Sequence, residues 1–371
     1  MTEKDAYIAF NLLPDVGAVT VRQLVARHGS AVAAWEAYPD KRDFEGRVPQ
    51  WERELERAAK QNVQFVTLLD ESYPALLREI ASPPLVLYVV GDPAALNRPG
   101  IALVGTRRPS LYGTETARRF ALELVHAQWA VYSGLALGID TAAHRGALEG
   151  QGITVGVLGG ALDRFYPKDN TRLAREIVAH GGAVATEFPF GRPPDMKTFP
   201  QRNRIVSGLS RGVVAVEAPL QSGTLITCRL AGEQGRAVMA VPGRVDQPNS
   251  RGCLHLIREG ATLVANVDDI LEAVSPMAAL TRPARPRVSN RPTAPVKPPA
   301  KKETAPAVGA VSLEESLVLR ELKDTALTID ALARAAKLPV GKVNALLVQL
   351  RLKRLARFLP GNRVMRAAGP A

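Results

Sequence analysis

Cysteine is almost absent from this 371-residue chain, which contains only Cys228 and Cys253. Its five histidines are scattered rather than clustered. Two cysteines and dispersed histidines provide neither a framework of disulfides nor the ligand spacing of a zinc site. We therefore expect no bound metal and no disulfide-based fold.

Long apolar runs are also missing. No segment approaches the roughly 18 consecutive apolar residues of a membrane-spanning helix. The first ten residues, MTEKDAYIAF, lack the charged and then apolar order of a secretory signal. We expect a soluble, cytoplasmic protein without membrane contact, and the length predicts two or three domains.

The common nucleotide-binding and catalytic motifs are not found either. No G-x-G-x-x-G follows a β-like run, and G-x-x-x-x-G-K-[ST] does not occur. Ser133-Gly134 lacks the spacing of a nucleophile elbow. Asp140 and His144 lie four residues apart on one predicted helical face, where local hydrogen bonding explains them better than acid–base chemistry. We expect no cofactor and no ATP hydrolysis.

The net charge of +12 is unevenly distributed along the chain. It is −1 over residues 1–62, +1 over 63–275, +6 over 276–310 and +6 over 311–371. Residues 276–310 are rich in Pro, Ala and basic side chains, which predicts an extended linker. Because the middle region is nearly neutral, polyanion binding there requires basic side chains that converge in space.

The pattern of apolar residues divides the chain into four regions. Residues 1–62 predict short helices around Leu13–Gly17, as in a SAM or helix-hairpin-helix domain. There Gly17 either lets backbone amides approach a DNA phosphate or only permits a tight turn, and the slightly acidic charge favours protein contacts. Residues 63–275 alternate short apolar runs with helices, which predicts an α/β, Rossmann-like domain with a mostly parallel sheet.

Beyond the linker, residues 311–371 predict three helices and then two short extended runs around a Pro360-Gly361-Asn362 turn. This is the order of a winged-helix domain. Four basic residues of this domain either form a secondary DNA-binding face or remain a solvated surface. They are Lys342, Arg351, Lys353 and Arg354.

Residues 199–231 contain the most informative pattern in the sequence. Arg202, Asn203 and Arg204 follow Phe199, and a β-like run then leads through Ser222-Gly223-Thr224 into a helix. Amides at a helix N-terminus accept phosphate oxygens, and arginines add formal charge. Phe199 either stacks on a base or packs in the core, and one arginine either binds DNA or pairs with a carboxylate such as Glu217.

Several β-like runs end in short loops of small and polar residues. In an open parallel sheet, loops after the carboxyl ends of strands gather along one edge, where ligands bind. We therefore expect these loops to share one cleft. They are Gly105–Arg107, Ser133–Gly134, Gly159–Gly160, Gly191–Arg192, Ser222–Thr224 and Pro242–Gly243.

The segment 199–231 resembles the signature of the DprA/Smf family of DNA-processing proteins. Other blocks match that family in the same order along roughly 200 residues. These blocks are Val104–Arg108, Ser133–Asp140 with Ala143-His144, Gly159–Asp163 with Tyr166-Pro167, Val241–Gly243 and Leu256–Ala261.

The resemblance implies a non-enzymatic, homodimeric protein that binds single-stranded DNA. It would protect incoming strands and load the RecA recombinase during natural transformation. Arg107 resembles the arginine with which the family grips DNA, and Lys168 and Lys197 match neighbourhoods of basic side chains. Arg108, Ser133 and Gly134 complete the predicted DNA-binding set with the residues of 199–224 already named.

Two other functions stay open at this point. The α/β domain also resembles nucleotide phosphoribohydrolases, whose Gly-Gly-x-Gly-Thr motif is soon followed by a catalytic glutamate. Here Gly223-Thr224 leads into Leu225, Ile226 and Thr227 instead. The second possibility is a regulator that binds duplex DNA through the winged helix.

Overall fold

The computed structural model describes most of the chain, which divides into two compact units, residues 1–286 and 287–371. The predicted linker 276–310 lies outside the described residues. Described are residues 1–39, 41–42, 46, 50–274, 313–322, 327–353, 355–359 and 363–366.

A nine-stranded sheet forms the centre of the first unit, in the order β1-β2-β6-β5-β4-β3-β7-β8-β9. All neighbours from β6 to β9 are parallel, whereas β2 pairs antiparallel with both β1 and β6. The mostly parallel α/β fold is therefore confirmed, and the sequence pattern missed strand β1. The strands are β1 Gln64–Thr67, β2 Val86–Gly91, β3 Gly100–Val104, β4 Ala130–Ser133, β5 Thr154–Val157, β6 Ala183–Thr186, β7 Gly212–Ala215, β8 Ala237–Ala240 and β9 Thr262–Leu263.

Helices cover both faces of this sheet. The central strands are therefore fully buried, which fits their short apolar sequences. Two clusters of buried side chains, one on each face, hold the layers together. The helices are α1 Glu3–Asn11, α2 Ala18–His28, α3 Ala31–Ala37, α4 Trp51–Lys60, α5 Ala75–Arg78, α6 Leu111–His126, α7 Ile139–Glu149, α8 Thr171–Ala179, α9 Thr198–Leu209, α10 Gly223–Glu233, α11 Arg251–Arg258 and α12 Val267–Val274.

The first four helices confirm the helical character predicted for the N-terminal region. They do not form a separate core, because Phe10 and Trp35 belong to the same buried cluster as Tyr88 of β2 and Phe190. Glu54 of α4 also accepts a hydrogen bond of 2.8 Å from the Phe190 amide. The domain boundary after residue 62 stays a prediction.

The strand order places a topological switch point between β3 and β7. From β3 the chain proceeds outward through β4, β5 and β6, whereas from β7 it proceeds the other way through β8 and β9. Loops that follow β3 and β7 therefore diverge and leave a crevice at the carboxyl edge of the sheet. In open α/β sheets, such a crevice is where ligands bind.

The second unit has the winged-helix arrangement, with its own buried cluster around Leu332, Leu347 and Leu350. Its three-stranded sheet has the order β10-β12-β11. The predicted helices and hairpin are confirmed, and the sequence pattern missed β10. The elements are α13 Leu313–Glu321, β10 Leu327–Thr328, α14 Ile329–Ala336, α15 Val340–Leu352, β11 Ala356–Leu359 and β12 Arg363–Arg366.

Candidate nucleic-acid interface

A cleft of about 480 Å³ lies at the switch point, between the loops that follow β3 and β7. The two loops are joined where the Thr106 amide donates to the Glu217 carbonyl over 2.7 Å. Helix α9 forms the third wall. The predicted DNA-binding residues that line this cleft are Arg107, Arg108, Phe199, Arg202, Asn203, Ser222, Gly223 and Thr224.

Arg107 and Arg108 are exposed at the mouth of the cleft. The guanidinium carbon of Arg107 lies 5.1 Å from the centroid of the half-buried Phe199 ring, a cation–π contact. No carboxylate in the described part of the chain pairs with either arginine. Both charges are therefore available to a ligand.

The N-terminus of helix α10 opens into the same cleft. Ser222 occupies the N-cap position in an extended conformation, but its side chain makes no capping hydrogen bond. The Ser222 Oγ is buried and has no hydrogen-bond partner among the described residues. No acidic residue lies in the first turn, and Gly223 is exposed. Free amides and the positive end of the helix dipole make this terminus suited to an anion.

Arg202 is buried beneath the cleft, with 6% of its surface exposed. Its guanidinium lies against the backbone of Gly134, where a Cβ atom would stand 1.2 Å from Nη1. Arg202 Nη1 is 4.0 Å from Oδ2 of Asp140. The same Oδ2 accepts hydrogen bonds from the Gly134 and Ala136 amides, at 3.0 and 3.4 Å. The glycine is thus needed to admit the arginine.

The ionisable groups around Arg202 are perturbed by their burial. Burial lowers the pKa of Arg202, an effect that Asp140 opposes and Arg107 increases. Burial raises the pKa of Asp140, against the influence of Arg202 and of the backbone amides. Burial, with Arg202 nearby, lowers the pKa of His144 to about 3.

Asp140 and His144 therefore have separate partners. His144 Nδ1 lies 2.8 Å from Thr154 Oγ1, away from Asp140, and His144 Nε2 has no hydrogen-bond partner among the described residues. Asp140 is the one carboxylate among the described residues that line the cleft. Three arginines, Arg107, Arg108 and Arg202, line the same cleft together with the α10 N-terminus. Their positive charge exceeds the single negative charge of Asp140, so the cleft is suited to a polyanion.

Some predicted residues do not line the cleft. The Ser133 side chain is buried and donates to the Leu103 carbonyl over 2.7 Å. Arg204 lies on the other side of α9, where it pairs with Glu187 and borders a separate cavity next to the α1–α2 loop. Lys168 and Lys197 are exposed near the cleft but do not line it.

The alternative that one arginine pairs with a carboxylate holds for Arg204, but its partner is Glu187 and not Glu217. Glu217 accepts hydrogen bonds from the backbone and side chain of Ser110, and thereby holds the N-terminus of α6. Of the six predicted loops, Gly105–Arg107 and Ser222–Thr224 line the cleft. Gly134 and Gly159 border a smaller recess beside it, and Gly191–Arg192 and Pro242–Gly243 border neither cavity. Arg192 borders the separate cavity instead.

The sequence pattern missed Asn249, which also lines the cleft. Its Nδ2 donates to the Arg108 carbonyl over 2.9 Å and so holds the loop after β3. The two residues are 141 positions apart in the sequence, so no local motif could predict their contact.

In the winged-helix unit, the two lysines proposed as secondary DNA contacts pair with carboxylates of α13. Lys342 Nζ lies 2.5 Å from Glu314 Oε1, and Lys353 Nζ lies 2.7 Å from Glu315 Oε2. Arg354 and the side chain of Arg351 lie outside the described residues. The secondary site stays a prediction.

The cleft residues belong to a region with recognisable relatives. A family model described as DNA recombination-mediator protein A matches residues 64–275. The chain belongs to this family, the DprA/Smf family. A second model, the DprA winged helix domain, matches residues 298–362.

The helices in the described part of the chain include no candidate for a membrane span, because none of them is both long enough and apolar enough.

Curated relatives extend the likeness over nearly the whole chain. Protein Smf of Synechocystis is 31% identical over 98% of this chain and 99% of its own. Protein Smf of Escherichia coli is 37% identical over 82% of this chain and 77% of its own. DNA processing protein DprA of Streptococcus pneumoniae is 43% identical over 55% of this chain and 72% of its own.

Solved structures of the family share the fold. DprA of S. pneumoniae has a TM-score of 0.62 and 34% identity, covering 73% of this chain and 97% of its own. DprA of Helicobacter pylori, a structure described for its single-stranded DNA binding mode, has a TM-score of 0.51 and 30% identity, covering 58% of this chain and 96% of its own. The chain is therefore a DNA-processing protein of the DprA/Smf family, with a winged-helix domain at its C-terminus.

Proposed function

We propose that the protein binds single-stranded DNA in the cleft between the β3 and β7 loops. The observation that carries this proposal is the arrangement of Arg107, Phe199 and the open N-terminus of α10 around one cavity. Arg107 and α10 would hold phosphate oxygens, while Phe199 would face a base. A base face is accessible only where the strand is unpaired, and stacking on it tolerates any sequence.

Binding without turnover fits the chemistry of the cleft. Asp140 is occupied by two backbone amides and faces Arg202, so it is not free to transfer a proton to a ligand. The first turn of α10 has no acidic residue, where a phosphoribohydrolase-like site would have its glutamate soon after the glycine and threonine. We therefore propose a binding protein rather than an enzyme.

The cellular role that we propose rests on the family resemblance. The protein would protect incoming strands and load the RecA recombinase during natural transformation, in the cytoplasm. A homodimer would let one strand engage two clefts, which raises the overall affinity through a high effective concentration. The structure of the H. pylori protein is described for its single-stranded DNA binding mode, which supports the DNA binding that this role requires.

A titration of labelled oligonucleotides tests the proposed function. We expect the full chain to bind single strands of unrelated sequence with similar affinity, and to prefer them over duplexes of equal length. The chain that ends at residue 275 keeps every described helix and strand of the first unit and should retain most of this binding.

Sequence-selective duplex binding that disappears in the shortened chain would instead indicate a regulator that acts through the winged helix. Nucleotide hydrolysis by the purified protein, abolished by changing a cleft carboxylate, would favour an enzyme.

A further inference from the structure

Glu217 is a buried carboxylate in the loop that leads from β7 to the N-terminus of α10. It is 5% exposed, and among the described residues no lysine or arginine forms an ion pair with it. Burying a charge without a cation is costly unless hydrogen bonds compensate for the lost water. The partners of Glu217 therefore show what its charge is used for.

The hydrogen bonds of Glu217 lead to the loop after β3. The Ser110 amide donates to Glu217 Oε2 over 2.9 Å, and the Ser110 hydroxyl donates to Oε1. The main-chain carbonyl of Glu217 accepts a hydrogen bond of 2.7 Å from the Thr106 amide. Arg107 and Arg108 lie between these two partners, so one residue fastens both ends of the segment 106–110, which we call the arginine loop.

The Glu217 carboxylate also lies at the N-terminus of helix α6. Ser110 is the N-cap of α6, and Gly113 makes room for the carboxylate, since a Cβ atom there would stand 2.5 Å from Cδ of Glu217. A negative charge at this end of a helix is favoured by the helix dipole. The protein thus fills the N-terminus of α6 with its own carboxylate, whereas that of α10 has no side-chain cap and no acidic residue in its first turn.

Glu217 thereby connects the two parts of the proposed phosphate site. Its side chain holds the arginine loop, and its main chain leads within five positions to Ser222 at the start of α10. Asn249 makes a second link between the same two loops, because its carbonyl accepts from the Ala218 amide and its Nδ2 donates to the Arg108 carbonyl. A change at Glu217 should therefore alter the distance between the arginine loop and the α10 amides.

We propose that Glu217 is a positioning residue for DNA binding, which holds the arginine loop at a fixed distance from the N-terminus of α10. The inference rests on the proposed function, because it adds the residue that sets the spacing between two phosphate contacts of the same cleft. Glu217 is buried and negatively charged, so it does not touch the strand itself and acts through Arg107 and Arg108.

Glu217→Gln tests this assignment in the full chain. A glutamine has one acceptor oxygen where the carboxylate has two, so it cannot satisfy both donors of Ser110. We expect single-strand affinity, measured by fluorescence anisotropy over a series of salt concentrations, to fall several-fold. The slope of log affinity against log salt should also fall, by up to about 0.7 for each phosphate contact that is lost.

Gly113→Ala acts on the same carboxylate without changing any charge. The new Cβ atom should displace the Glu217 side chain from the N-terminus of α6 and reproduce both effects of Glu217→Gln on binding. Alanine is a better helix former than glycine, so a fall in affinity would not follow from a weaker α6. This variant keeps the proposal testable if Glu217→Gln does not fold.

A background without the two arginines separates positioning from a general loss of structure. In a chain that carries Arg107→Ala and Arg108→Ala, Glu217→Gln should change the affinity by less than about twofold, because the residues through which it acts are gone.

Glu54→Gln is a matched control. Glu54 is 6% exposed and accepts a hydrogen bond of 2.8 Å from the Phe190 amide, but neither residue lines the cleft. Its substitution should lower the thermal midpoint and leave the salt slope of binding unchanged.

An unchanged salt slope in both Glu217→Gln and Gly113→Ala would overturn the inference, and so would an equal loss of affinity with and without the two arginines. In either case the proposed function would survive if Arg107→Ala still weakened binding. Failure of the unmodified protein to bind single strands would instead refute the proposed function itself.

Discussion

Arg107 and Arg202 illustrate two roles for arginine within one cleft. Arg107 is exposed, has no carboxylate partner among the described residues, and lies over Phe199, so its charge faces the cleft. Arg202 is buried next to Asp140, and its guanidinium occupies the space in which a side chain at position 134 would lie, so only glycine fits there. In the proposed function, Arg107 would contribute directly to phosphate binding, whereas Arg202 would add positive potential from beneath the cleft.

Replacing Arg107 with alanine should weaken single-strand affinity several-fold across unrelated sequences. Because one phosphate contact is lost, the slope of log affinity against log salt should fall by about 0.7. Arg119→Ala is a matched control, since Arg119 is also an exposed arginine over a phenylalanine ring, at 5.3 Å from Phe120, but does not line the cleft. Equal effects of the two substitutions, or an unchanged slope, would contradict the assignment.

At the scale of elements, the proposed phosphate site depends on the N-terminus of helix α10. Its N-terminus has neither a side-chain cap nor an acidic residue in the first turn, and both of these features stabilise a helix. Helix α6, by contrast, has a side-chain cap, since Ser110 Oγ accepts a hydrogen bond of 3.1 Å from the Gly113 amide. The amides of α10 are thus left for a ligand, at a cost in helix stability that an anion would offset.

Substitutions of Ser222 can separate the stability of helix α10 from the proposed anion binding at its N-terminus. Ser222→Asp supplies a charged cap, which should stabilise the helix by about 0.3–1 kcal/mol and raise or preserve the thermal midpoint. The same carboxylate should repel phosphate, so we expect single-strand affinity to fall about tenfold or more. Ser222→Asn has nearly the same shape without the charge and should bind much more tightly than the Asp variant. Similar losses in both variants would argue against an anion cradle at this position.

At the scale of the whole molecule, the N-terminal helices and the sheet depend on each other. Leu85, Val86 and Tyr88 on the β2 side of the sheet, together with Phe190, are almost completely buried in the cluster that contains Phe10 and Trp35. The winged-helix unit, by contrast, has a buried cluster of its own. The two ends of the chain should therefore respond differently to truncation.

A chain that begins at residue 63 should be strongly destabilised. Exposing four large apolar side chains costs about 1.5–3 kcal/mol each, which is comparable to the total stability of 5–15 kcal/mol typical of a domain. We expect aggregation, or a large fall in the thermal midpoint measured by circular dichroism. The chain that ends at residue 275 is the control and should unfold near the midpoint of the intact first unit. A stable, cooperative chain from residue 63 would show that the N-terminal helices form an independent domain.

The sequence by itself determined the class of the fold, the winged-helix order, the family, and the position of the Ser222–Thr224 loop at the start of a helix. These features depend on local periodicity and on short motifs, which neighbouring residues specify. Most of the cleft residues followed from one general rule, that loops after parallel strands meet at one edge of a sheet.

Only the tertiary structure decided which side of each element faces the cleft. It directed Arg202 and Arg204, two positions apart on α9, to opposite cavities and paired them with Asp140 and Glu187 instead of Glu217. It also brought Asn249 to Arg108 and placed Tyr166 beside Phe199. These outcomes depend on how helices rotate and pack against the sheet. That packing is set by contacts between residues far apart in the chain, which leave no local pattern in the sequence.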